Sequence, residues 1–104
     1  MNITRSLLLV LILFCFPARG EVRLPRLIGD GMVLQRNADV RIWGWANPGE
    51  KITLEFRNVN YQANASAKGE WEIHMKDLPA GGPFDMVIRA ANTITLHNIR
   101  VGDV

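Results

Sequence analysis

The side chains that could carry nucleophilic catalysis are few in this sequence and widely spaced. Ser66 is the only serine after residue 20, and no glycine elbow surrounds it. A nucleophilic serine needs a general base beside it, yet His74 and His97 both lie in alternating, strand-like runs that offer no defined partner. We therefore predict that the chain contains no catalytic residue.

Carboxylates and histidines could also form a glycosidase pair or a metal site. The carboxylates lie at predicted turns or outward strand positions, where solubility and turn formation account for them: Asp30, Asp39, Glu70, Glu72 and Asp85. Neither histidine has a third metal ligand nearby in the pattern, so exposed strand positions are favoured for both. We predict no carboxylate pair, no metal and no cofactor.

Four aromatic residues are suited to stack against a sugar ring: Trp43, Trp45, Tyr61 and Trp71. Trp43 and Trp45 share one side of a predicted strand whose other side is aliphatic. That pattern is expected where both faces are covered, in a sandwich or at a domain interface. Packing is the favoured interpretation, and sugar stacking is the alternative.

The first twenty residues have the pattern of a secretory signal peptide. Arg5 precedes an apolar run from Leu7 to Phe16, and Pro17 and small residues up to Gly20 complete a cleavage site. The run is shorter than the roughly 20 residues that a membrane helix needs. We expect residues 1–20 to be removed and the product to be secreted or periplasmic, or lysosomal or extracellular in a eukaryote, with no membrane association afterwards.

The charge balance argues against nucleic acid as a partner. The chain has 12 basic and 10 acidic residues, and the predicted signal contains Arg5 and Arg19 but no acid. The remainder is close to neutral, with both signs interspersed, whereas nucleic-acid binding leaves a basic footprint.

Short alternating runs separated by turn residues predict an all-β chain after residue 20. About six to eight such runs favour a β-sandwich, Ig-like or jelly-roll-like, over residues 21–100. The turn NPGE predicts a hairpin between residues 38–47 and 51–57, and Lys68-Gly69 predicts a second between 59–67 and 70–76. A change of parity predicts a bulge or strand change near Asn98.

The final residues continue an apolar alternation up to Val104 without a terminating signal. We interpret residues 101–104 as the start of a strand that leads into a further domain. On this interpretation Ile99 and Val101 would lie near an unpaired edge or an uncovered interface.

Four stretches together resemble the N-terminal region of the sialate O-acetylesterases, which are SGNH-type carbohydrate esterases: Leu24–Arg36, Ile42–Phe56, Leu78–Ile88 and Asn98–Val104. The resemblance implies an accessory sandwich that precedes a hydrolase domain, with the chain truncated before the catalytic serine and inactive alone. It implies two partners, the downstream hydrolase domain and an acetylated carbohydrate such as sialic acid. The alternatives are a stand-alone carbohydrate-binding or adhesion module and an Ig-like interaction domain.

Overall fold

Seven β-strands form the part of the chain that the computed structural model describes, residues 21–104. In chain order they are β1 (Val33–Gln35), β2 (Asp39–Trp45), β3 (Lys51–Phe56), β4 (Val59–Asn64), β5 (Glu70–Lys76), β6 (Gly81–Arg89) and β7 (Thr93–Gly102). They make a five-stranded sheet in the order β1-β7-β6-β3-β4 and a two-stranded sheet of β2 and β5. The predicted all-β sandwich is confirmed, whereas the predicted signal peptide lies outside the described residues.

The inward faces of the two sheets meet in one apolar core. The two-stranded sheet contributes Val40, Ile42, Trp71, Ile73 and Met75, and the larger sheet contributes Ile52, Leu54, Phe56, Met86, Ile88, Leu96, Ile99 and Val101. Alternation along each strand predicts these positions, because successive side chains point to opposite faces. In residues 21–104 no polar side chain is buried in this core, and no helix there is long and apolar enough to cross a bilayer.

Both predicted hairpins are wrong. β2 pairs antiparallel with β5, from Asp39 opposite Lys76 to Trp45 opposite Glu70, while β3 pairs with β4 and with β6. The turn after β2 therefore carries the chain from one sheet to the other, and the turn after β4 carries it back. A turn signal predicts that the chain reverses direction, but not whether the next strand pairs with the previous strand or joins the other sheet. In both cases the apolar side chains point into the same core.

A two-residue turn joins β3 to β4 in a tight hairpin. Arg57 and Asn58 have φ values of 53° and 66°, and the flanking Phe56 and Val59 are paired. Positive φ at both central residues is typical of the type I′ turn, whose twist matches that of paired strands. The hairpin depends on left-handed backbone conformations at Arg57 and Asn58. The residue types in this turn do not predict those conformations.

The bulge predicted near Asn98 is confirmed. Phe84 of β6 pairs with Ile99 and Met86 pairs with Leu96, so β7 has one extra residue in between. Asn98 has a φ of 63°, the left-handed conformation that asparagine tolerates well. The bulge explains the parity change, because it returns Ile99 to the core side.

The expectation of an unpaired edge at Ile99 and Val101 is wrong. Both side chains are buried, and β7 lies between β6 on one side and β1 on the other. β1 pairs in parallel with β7 from Val33 opposite Arg100 to Gln35 opposite Gly102. Because β1 comes from a distant part of the chain, the local pattern of the last strand does not reveal this cover. The further domain after residue 100 stays a prediction.

Candidate binding groove on the two-stranded sheet

Ser66 lies in the turn between β4 and β5, where its hydroxyl supports the backbone. Its Oγ accepts hydrogen bonds of 3.2 Å from the backbone N–H groups of both Lys68 and Glu70. Its own N–H donates to the carbonyl oxygen of Glu70 at 2.8 Å. These contacts give the serine a turn-forming role, because hydroxyl side chains commonly satisfy nearby backbone donors.

His74 lies between two carboxylates on the outer face of the two-stranded sheet. Its Nδ1 is 3.0 Å from Oδ1 of Asp39, and its Nε2 is 3.0 Å from Oε2 of Glu72. Arg41 donates from Nε to Oε1 of Glu72 at 2.6 Å. The hydrogen bond with Glu72, followed by that with Asp39, raises the pKa of His74, while Arg41 and then His74 lower the pKa of Glu72. The four side chains form an exposed charge network.

We expect NMR titration to give His74 a pKa above its ordinary value of 6.5, because both neighbours favour the imidazolium. Glu72→Gln should lower that pKa more than Asp39→Asn. A raised folded pKa contributes stability that is fully present below pH 6.5 and is lost as pH rises through the folded value. Thermal melts across that range should show a small decline that His74→Gln lacks; a pKa at or below 6.5 contradicts the network.

His97 occupies the bulge of β7 on the other sheet. Its Nδ1 is 3.2 Å from Oδ1 of Asp85, and its backbone N–H donates to Oδ1 of Asp30 at 2.8 Å. The two histidines therefore belong to separate sheets. Within residues 21–104 the structure contains no group of three or more His, Cys, Asp or Glu side chains that could hold a metal ion.

The three tryptophans occupy different environments. Trp71 is only 4% exposed and belongs to the core, whereas Trp43 and Trp45 are half-buried on the outer face of β2. Trp43 also packs against core residues. The guanidinium carbon of Arg41 lies 4.5 Å from the centre of the Trp43 ring, and that of Arg23 lies 5.8 Å from the Trp45 ring. The packing interpretation therefore fits Trp71 and part of Trp43, but Trp45 lies at the surface.

A groove of about 520 Å³ runs across the outer face of this sheet to the β4–β5 turn. It is lined by Arg41, Trp43, Gly44, Trp45, Asn64, Ser66, Glu70, Trp71 and Glu72. Its volume lies within the ordinary range of ligand sites, and aromatic and polar side chains converge in it. Alternation along β2 predicts that Trp43 and Trp45 face outward. Only the β2–β5 pairing places Glu72 and Glu70 beside them.

Comparison with known proteins relates this fold to a family of esterases. No family model matches the chain. The sialate O-acetylesterases of Homo sapiens and Pongo abelii are 28% identical to it over 112 residues, which cover 95% of the chain and 21% of each relative. The chain thus spans about a fifth of the length of these curated relatives.

A solved structure agrees with the sequence match. XAC1771, a carbohydrate acetylesterase from Xanthomonas citri, superposes with a TM-score of 0.77 at 31% identity, over 80% of this chain and 19% of that one. The chain is similar to the N-terminal region of the sialate O-acetylesterases. The resemblance that the four sequence stretches indicate is thereby confirmed.

A bacterial immunoglobulin-like domain also shares the fold. This domain, from the M. primoryensis ice-binding adhesin, has a TM-score of 0.51 at 22% identity over 84% of the chain and all of the domain. At that identity the likeness concerns the architecture alone. It supports the Ig-like description of the sandwich.

Proposed function

We propose that this chain is the non-catalytic N-terminal sandwich of a secreted or periplasmic carbohydrate esterase of the sialate O-acetylesterase kind. The observation that carries the proposal is the match to a carbohydrate acetylesterase, in which the corresponding region makes up 19% of the chain. The partner of the sandwich is then a downstream SGNH hydrolase domain. The substrate of the whole protein is an O-acetylated sugar, either sialic acid or another.

The chemistry of such an esterase belongs to the proposed hydrolase domain. A base-activated serine attacks the acetyl carbonyl, donors in an oxyanion hole stabilise the tetrahedral intermediate, and water then releases acetate. The hydroxyl of Ser66 instead accepts two backbone hydrogen bonds in a turn. The histidines contact carboxylates, and none of their described hydrogen bonds reaches Ser66.

The chain by itself is expected to release no p-nitrophenol from p-nitrophenyl acetate above the rate of buffer. Ser66→Ala should leave that result unchanged, and a characterised serine esterase serves as the positive control. Turnover by the purified chain that disappears in Ser66→Ala would show that Ser66 is a nucleophile, and the proposal would be wrong.

The esterase origin itself is tested by sequencing the transcript beyond the codon for Val104. A serine in a Gly-Gln-Ser-Asn-like run within about the next ten encoded residues is the result we expect from the resemblance. A stop codon, or a linker rich in serine, threonine and proline, contradicts it and favours the second candidate. That candidate is a stand-alone carbohydrate-binding module, which the aromatic groove favours.

A further inference from the structure

We propose that the groove on the outer face of the two-stranded sheet is a binding site for neutral oligosaccharides. The inference concerns the sandwich itself and does not depend on a downstream hydrolase domain. It rests on three features of the groove: a row of complementary side chains, unused hydrogen-bonding groups and balanced charge.

The first feature is a row formed by Arg23, Trp45 and Glu70. Arg23 and Trp45 form a backbone bridge with N–H···O distances of 2.8 and 2.9 Å, and Glu70 lies directly opposite Trp45 on β5. Side chains opposite each other on neighbouring strands lie about 5 Å apart on the same face. A cation, an indole and a carboxylate therefore stand side by side across the sheet.

This row fits a pyranose ring. The apolar face of a sugar stacks on an indole, and its hydroxyls project sideways, where they act as both donors and acceptors. The Arg23 guanidinium lies over the Trp45 ring and offers donors there, and Glu70 offers acceptors from the neighbouring strand. The Arg23 guanidinium carbon is 5.8 Å from the ring centre, whereas Arg41 lies only 4.5 Å from that of Trp43, so Trp45 is the less covered ring.

The second feature is unused hydrogen-bonding capacity along the groove. The carboxylate of Glu70 has no ion-pair or hydrogen-bond partner among residues 21–104. Asn64 donates from Nδ2 to the carbonyl oxygen of Gly49 at 3.4 Å and keeps its Oδ1 for a further donor. Ser66 uses its Oγ as an acceptor, which leaves its O–H to donate. These groups suit the mixed donor and acceptor pattern of sugar hydroxyls.

The indole of Trp71 lines the groove from the core side. Its Nε1 is buried and has no hydrogen-bond partner within the described part of the chain. The neighbouring ring atom Cε2 lies over Gly44, so close that a Cβ there would be 3.2 Å away, and both residues line the groove. Because Nε1 has almost no exposed area, a ligand in the groove cannot reach it, and Trp71 contributes only apolar lining beside Gly44.

The third feature is the balance of charge around the groove. Arg41 is held by Glu72 at 2.6 Å, while Glu70 and Arg23 have no ion-pair partner among residues 21–104, so the positive and negative charges beside Trp45 offset each other. A neutral sugar needs no counter-charge there, whereas an acidic sugar finds no net positive charge and would bring its carboxylate close to Glu70 and Glu72. The groove therefore favours neutral oligosaccharides over sialylated ones.

The test is a titration of the full chain with sugars, in which binding is measured by tryptophan fluorescence and by calorimetry. The probes are xylohexaose and cellohexaose, which are neutral, and 3′-sialyllactose, which is acidic. We expect saturable binding of at least one neutral hexasaccharide and binding of sialyllactose weaker by about tenfold or more. Trp45→Ala should weaken binding of the neutral sugar by about tenfold or more. The matched control is Tyr61→Ala, a half-buried aromatic residue of β4 outside the groove, which should bind like the unmodified chain.

A second variant keeps the test decisive if Trp45→Ala does not fold. Glu70→Gln preserves the side-chain shape at an exposed position. It should weaken binding of the neutral sugar by about threefold and reduce the ratio of affinities for the neutral sugar and sialyllactose. The inference is wrong if neither hexasaccharide binds, as expected of a groove that another protein domain covers. It is also wrong if Trp45→Ala binds normally or if sialyllactose binds as tightly as the neutral sugars. None of these outcomes touches the esterase proposal, which depends on the sequence beyond Val104.

Discussion

Replacing Phe56 with alanine is expected to lower the free energy of unfolding by about 3–5 kcal/mol, a large part of the stability of a domain this small. Phe56 is 1% exposed and stands at the end of β3, the strand between β4 and β6. Its ring meets that of Phe84 edge to face, with 5.6 Å between centres and 87° between planes. Alanine removes this contact and leaves a cavity in the core. Urea denaturation at 25 °C measures the loss.

Val59→Ala is the matched control for Phe56→Ala. Val59 is the cross-strand partner of Phe56 in the same tight hairpin, but it is 48% exposed. Its truncation should change the free energy of unfolding by no more than about 0.5 kcal/mol. Equal losses from the two variants would mean that the hairpin rather than the core is being perturbed, contrary to the packing described here.

Gly44→Ala is expected to destabilise the sandwich by about 1–3 kcal/mol through overpacking. A Cβ at this position would overlap the backbone carbonyl of Arg23 and would lie 2.9 Å from Cζ2 of Trp71. Backbone cannot yield as a flexible side-chain end does, so either the Arg23–Trp45 bridge or the Trp71 ring must shift. Thermal and urea denaturation measure the effect, and near-ultraviolet circular dichroism reports the displacement of the indole.

Gly102→Ala is the control for this glycine. A Cβ at Gly102 would meet no atom within 4 Å, and its backbone has no positive φ, so the variant should be close to neutral. Similar stabilities for the two alanine variants would show that the segment around Arg23 does not pack over Gly44. Since that segment places Arg23 beside Trp45, the proposed sugar site would lose its geometric basis as well.

If both experiments give the expected results, the two proposals describe complementary parts of one activity. In an esterase of the proposed kind, the hydrolase domain removes acetyl groups while the groove of the sandwich holds a neutral stretch of the same glycan. Binding two sites on one polymer raises the effective concentration at the second site.

Local sequence determined the strands and their faces. Side chains alternate along an extended backbone, so Val40 and Ile42 had to face opposite to Trp43 and Trp45 wherever the strand lay. The same rule predicts the bulge near Asn98, because a change of parity within one strand requires an extra residue. The esterase resemblance is likewise readable from residue order alone.

Only the tertiary structure decided which strands are neighbours, and therefore where the groove lies. An alternating strand buries the same side chains whether its partner is the next strand along the chain or a distant one. The β2–β5 pairing brings Glu70 beside Trp45, and a bridge from before β1 adds Arg23 to the same row. The parallel pairing of β1 with β7 beside Val101 has the same origin. Each of these contacts joins residues far apart in the chain. Their hydrogen bonds form between backbone groups, and every residue type except proline has the same backbone donor and acceptor, so residue types do not specify the partner strand.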